Sequence, residues 1–269
     1  MLELLDYTFF RNALLGVMIL SIGGGILGSY IVTRRLVSIS GGITHACFGG
    51  LGLGYFLGWP PIAMATVFAI GSALGVQWLG ANGRVREDSA IAVVWAAGMA
   101  VGVTFVFLTP GAVPELNSFL FGNILTITQA DLLMFGLYTV ALGLFFTICY
   151  RNITACAFDP DFMKVIGVKT WVYNGAMTLF IAVGIVLMIR CVGMMLLMSM
   201  LSLPQLTAEL FCSRLKTMIP VAVAISLAGC VGGLIAATAV NVPASALIVA
   251  LQVAVYALGA TARRLLPSK

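Results

Sequence analysis

The chain has 269 residues, 61% of them hydrophobic and 9% charged, with a mean hydropathy of +1.12. These values lie far outside the range of soluble domains and exclude one; the chain belongs in a lipid bilayer. The formal charge of +5 does not point to nucleic acid, because the basic residues follow membrane sidedness and form no binding patch.

A span needs about 20 apolar residues to cross a hydrocarbon layer of roughly 30 Å, and with no water to pair its backbone it must be helical. The apolar runs predict nine such helices, over 12–32, 38–58, 61–80, 89–109, 130–150, 171–190, 191–207, 218–238 and 243–262. The first is not a cleavable signal peptide: Glu3 and Asp6 precede it, its basic flank follows it, and no A-x-A site appears. With the N-terminus outside, Arg34, Arg35, Arg84, Arg86, Arg151, Lys164, Lys169, Arg214, Lys216, Arg263, Arg264 and Lys269 fall on the cytosolic side, and only Arg11 and Arg190 do not. Loops 109–129 and 239–242 carry no Lys or Arg, so nine spans with the N-terminus out and the C-terminus in satisfy the positive-inside rule. Eight spans, with 171–207 as one broken unit, would put the last loops on the wrong side. The expected fold class is all-α. It is a polytopic membrane protein with about nine transmembrane helices in a single domain over 1–269, plus a short cytosolic helix and a short external or re-entrant one.

Glycines four residues apart mark the faces along which membrane helices approach closely: Gly24/Gly28, Gly50/Gly54, Gly54/Gly58, Gly71/Gly75, Gly98/Gly102 and Gly229/Gly233. The segment SISGGITHACFGGLGLGYFLG, Ser38 to Gly58, is the richest in glycine and is expected as a tightly surrounded inner helix. The stretch PGAVPELNSFLFGNILTITQ at 110–129 has an apolar part too short to cross, which predicts a short helix dipping in from outside. Pro204 and Pro220 are expected where helices bend or end, and Asp131 is expected to cap a helix from outside. The six cysteines, with no C-x-x-C spacing, read as small apolar packing residues.

Between the fifth and sixth apolar runs stands ACAFDPDFMKVIGVK, residues 155–169. Asp159 is a good N-cap, Pro160 suits the first helical position, Asp161 complements the helix dipole and Gly167 can close the C-terminus. These signals predict roughly two turns of helix, with Phe158, Phe162, Val165 and Ile166 forming an apolar side too small to be a core. On a cytosolic loop, such a surface suits docking into a groove of another protein.

The chemistry-bearing residues are few. No Gly precedes any of the four lysines, so the phosphate loop GxxxxGK[ST] is absent and this chain is not expected to hydrolyse nucleotide by that machinery. His45 is the single histidine, and one imidazole is not a metal site, because a closed tetrahedral site takes four ligands. It is either a hydrogen-bonded packing residue or a group lining a pathway, where a costly polar side chain in a membrane tends to sit. The acids cluster at loops and span ends, with none mid-span, which disfavours an ion-coupled carrier working alone. An intramembrane enzyme is disfavoured for want of a nucleophile beside a base.

Five segments then converge in order: RRLVSISGGITHA at 34–46, EDSAIAVVWAAGMAVG at 87–102, SFLFGNILTIT at 118–128, AFDPDFMKVIGV at 157–168 and LLMSMLSLPQLTAEL at 196–210. On these the chain resembles, over nearly its whole length, the membrane permease of the ABC importer family that takes up manganese, zinc or iron. The resemblance implies a subunit of a bacterial or archaeal cytoplasmic membrane that pairs with a second copy of itself, binds two separate ABC ATPase subunits, and receives its ion from an external metal-binding receptor. ATP and Mg would be bound by the ATPases, and this chain would hold no cofactor. The helix at 159–167 then matches the family's coupling helix, and Phe158, Asp159, Pro160, Asp161, Phe162, Val165, Ile166 and Gly167 are its expected ATPase contact. His45, Thr44 and Asn241 are the expected pathway residues, with His45 as a transient metal contact. Where relatives commonly carry Gly-Asp, this chain has Ser40-Gly41, and it has Asn241 where an Asp is frequent. Two carboxylates that would attract a cation are missing, which bears on the choice of metal. A metal chelate or another small organic solute is the alternative cargo.

Overall fold

A computed structural model describes residues 6–81, 86–110, 122, 124–240 and 242–265. Among them every regular element is helical: α1 (Thr8–Thr33), α2 (Val37–Leu57), α3 (Pro61–Ala81), α4 (Glu87–Leu108), a 3-10 turn (Ile124–Thr126), α5 (Gln129–Phe158), α6 (Pro160–Val165), α7 (Thr170–Glu209), α8 (Leu215–Val240) and α9 (Ala244–Leu265). Seven of these are long and apolar enough to cross a membrane: α1, α3, α4, α5, α7, α8 and α9. Helix α2 has 21 residues but lies outside that group, because glycine, serine, threonine and histidine dilute its apolar run.

The two expected spans at 171–190 and 191–207 form one 40-residue element broken at Gly193, with φ 78° and ψ 170°, a conformation open essentially to glycine alone. Neither proline ends a helix, for Pro204 and Pro220 lie inside α7 and α8. Pro204 cannot donate to the carbonyl four residues back, at Met200. The Gln205 side chain supplies the missing donor. Its Nε2 donates to the Met200 carbonyl at 3.0 Å and to the Gly24 carbonyl of α1 at 3.0 Å. Gly28 makes room for that amide, since a Cβ there would lie 2.6 Å from Gln205 Cδ. Helix α5 runs 30 residues to Phe158, well past the expected end at 150, so helix replaces the loop expected before Asp159. Of the expected re-entrant helix at 110–129, residues 111–121 and 123 lie outside the described residues. The 3-10 turn just beyond them is tied to α1 by Asn12 Nδ2, which donates to the Ile127 carbonyl at 3.2 Å.

The chain forms two compact units, and it passes between them within α5 and α7. The first contains α1, most of α5, the later part of α7, α8 and α9. Its interior is stitched by polar side chains, the means by which helices associate where burial alone gives no drive. Ser199 Oγ donates to Gln252 Oε1 at 2.6 Å, Gln252 Nε2 donates to Cys230 Sγ at 3.6 Å, and Ser226 Oγ donates to Ser21 Oγ at 3.3 Å. Asp131 caps the start of α5, and it does so reciprocally with Thr128. The Thr128 N–H donates to Asp131 Oδ2 at 3.1 Å, and the Asp131 N–H donates to Thr128 Oγ1 at 3.2 Å, a capping box. Asp131 also pairs with Arg190.

The second unit contains α2, α3, α4, α6 and the adjoining parts of α5 and α7. Here glycine does what the sequence leads one to expect. A Cβ at Gly98 would lie 2.5 Å from Ala46 Cα, one at Gly49 would lie 2.9 Å from the Gly98 carbonyl, and one at Gly50 would lie 2.7 Å from Ala65 Cα. Helix α2 is thus held backbone to backbone between α3 and α4. The rule is not general, since Gly71 and Gly75 face open space and Gly58 serves as the left-handed cap of α2 at φ 68°.

Candidate functional site

Two places hold the residues singled out above, and both belong to the second unit. The first is α6. Asp159 Oδ1 accepts from the Phe162 N–H at 2.9 Å with Pro160 at the first helical position, so the start is capped as expected. The end is a Schellman closure: Val168 N–H donates to the Met163 carbonyl at 3.0 Å and Gly167 N–H to the Lys164 carbonyl at 3.1 Å, with Gly167 at φ 82°. Lys164 and Asp161 pair at 2.9 Å on the outer surface.

A helix of six residues is too short to persist on propensity alone, and the two caps are what define it. Phe158, Phe162, Val165 and Ile166 are 66%, 58%, 85% and 54% exposed, whereas Met163 is 5% exposed. The inward anchor is therefore Met163, which the sequence reading did not single out. The signal was present: Phe158, Phe162, Val165 and Ile166 share one stripe at helical spacing, and Met163 is left off it. The outcome is a rigid knob presenting four apolar side chains to its surroundings.

The second place is the seam between α2 and α4. The Gly98 to Ala46 approach draws the neighbouring side chains together, and the His45 ring stacks on Trp95 with centroids 4.4 Å apart and planes 8° from parallel. His45 is half-buried, and its Nδ1 is enclosed without a hydrogen bond. Trp95 was not anticipated; its partner lies on another helix, and no local pattern announces it. Thr44 is buried, and its hydroxyl donates to the Ser40 carbonyl at 2.7 Å. Asn241 lies outside the described residues. Among those described, no three His, Cys, Asp or Glu side chains gather into a metal-holding group.

Comparison with known proteins places the chain in one family. The ABC 3 transport family matches residues 6–263. A protein named as a probable metal transport system membrane protein, from Chlamydia muridarum, is 32% identical over 91% of this chain and 85% of its own length. One named as a manganese transport system membrane protein, from Halalkalibacterium halodurans, is 27% identical over 95% of this chain and 88% of its own. Among solved structures, PsaBC from Streptococcus pneumoniae in complex with Fab superposes with a TM-score of 0.84 at 25% identity, covering 96% of this chain and 94% of that one. The chain thus belongs to the ABC 3 transport family, a family of multi-pass membrane permeases for metal ions.

Proposed function

We propose that this chain is the permease subunit of an ATP-driven importer, carrying a divalent transition-metal ion, Mn, Zn or Fe, handed over by an external binding protein. Two copies form the pathway, and two separate ATPase subunits bind ATP and Mg and carry out hydrolysis. The observation that carries this reading is α6: a doubly capped helix with four exposed apolar side chains, which fits the groove of a moving partner. Only Asp159 separates Phe158, the last residue of α5, from Pro160 of α6. A push on the knob therefore passes directly into a 30-residue helix, with no slack loop to absorb it. This suits the sliding of packed helices by which such switches work.

Nine crossings, with the N-terminus outside, result when α2 and the two parts of α7 on either side of Gly193 are counted with the six other apolar helices. Arg34, Arg151, Lys164, Lys169, Arg214 and Arg263 then share the cytosolic side with α6. A bare divalent cation is very costly to place in hydrocarbon, so the route is a polar cavity between copies. His45 is a transient contact along it, with Thr44 and Asn241 as further pathway positions. Manganese is the first cargo to test, since one relative carries that name. Cells expressing the permease with its ATPase and receptor are expected to accumulate labelled Mn, Zn or Fe, with competition by free ions and none by chelates. Indifference to all free ions would transfer the cargo to a chelate.

A further inference from the structure

In the first unit a cleft of about 390 Å³ lies between α1, α5 and α8, within the roughly 300–1,000 Å³ range of small-ligand sites. Its lining is mostly apolar, with Ile26, Phe146, Ile219 and Pro220, and Thr147, Tyr150 and Lys216 are its polar members beside Gly143. No carboxylate lines it. Among the described residues Lys216 has no acidic partner and the Tyr150 hydroxyl has no hydrogen bond. Lys216 lies in the first turn of α8, and it and Tyr150 of α5 both line the cleft. Arg214 stands two residues before Lys216, so a second cation adjoins it in sequence.

We infer that this cleft is a binding site for an anionic phospholipid, with one acyl chain along Ile26, Phe146 and Ile219 and the phosphate at Lys216 and Tyr150. A mostly apolar cleft that also holds an ammonium and a phenol matches a chain joined to a phosphate. The inference rests on the chain spanning a membrane and is independent of its cargo.

The test is native mass spectrometry of the purified full chain exchanged into detergent with equal phosphatidylglycerol and phosphatidylcholine. Phosphatidylglycerol is expected to be retained about five-fold over phosphatidylcholine, the equivalent of about 1 kcal/mol for a cation near an anionic lipid surface. Lys216→Ala should abolish that preference. Gly143→Leu, at a position where a Cβ meets nothing within 4 Å, should fill the slot and remove bound lipid of both kinds while leaving the unfolding temperature unchanged. Inorganic phosphate at the same concentration should displace nothing. Equal retention of the two lipids would overturn the headgroup assignment. Retained lipid in Gly143→Leu would overturn the slot, as would Thr147→Cys chains that cross-link efficiently to a second copy.

Discussion

The α6 knob and the α2–α4 seam invert the usual match between side chain and surroundings in opposite senses. On the knob, Phe158, Phe162, Val165 and Ile166 are apolar and exposed; in the seam, an ionisable ring is drawn into an apolar bundle and stacked on an indole. The knob is held by its two caps, and the seam by glycines that also clamp α2 between α3 and α4. The contrast teaches that two mismatches between side chain and surroundings can differ in tolerance. The knob presents a surface and depends on local hydrogen bonds, whereas the seam is a backbone contact with no spare volume.

The contrast can be broken most severely at the seam. Gly98→Leu drives a side chain into the Ala46 backbone and is expected to lower stability by about 3 kcal/mol, the upper end for overpacking. Gly71→Leu, facing open space, should be nearly neutral. Unfolding midpoints in one detergent check the pair, and equal midpoints would remove the seam argument. Next in size is Trp95→Ala, which should lower metal uptake by about tenfold, the low end for losing a partner that orients a ligand. Trp95→Phe should restore most of it, since a ring still stacks. Uptake unchanged in Trp95→Ala would make the stack mere packing.

Smaller effects belong to the cap and the surface ion pair of the knob. Asp159→Ala removes an N-cap worth about 1 kcal/mol and should speed amide exchange across 162–165, while Asp159→Asn, an equally good cap, should not. Protection that follows the charge and not the cap would show that Asp159 acts through electrostatics. Smallest of all is Lys164→Ala. The Lys164–Asp161 pair is well exposed on both sides, and such pairs contribute little, so exchange and transport should both be unaltered.

What could be read from the sequence depends on the range of the interactions. The cap at Asp159, the proline after it and Gly167 act within a turn or two, and each appears where the residues place it. The glycine-lined α2 was legible because its spacing repeats. The break in α7 was legible to within a few residues, since two spans were expected to meet at 190/191 and the helix breaks at Gly193; among thirty glycines, nothing local marks Gly193 itself as the one with a positive φ inside the run. The hydrogen bonding around Pro204 was illegible for a related reason. Gln205 supplies the donor lost at Pro204 and α1 accepts its second hydrogen bond, and the groups involved lie 181 residues apart. The His45–Trp95 stack and the Asp131–Arg190 pair are likewise products of packing between helices, out of reach of any local pattern. Met163 lay within reach, as the residue off the exposed stripe.

The knob is the centre of the account, and ATP hydrolysis by the assembled transporter in the Phe162→Asp variant tests it most directly. A charge on the exposed stripe should leave the two permease copies associated while transport-linked hydrolysis and ion uptake are both lost. Hydrolysis that still rises normally with the loaded binding protein, in that variant, would contradict the claim that α6 is where the ATPase takes hold.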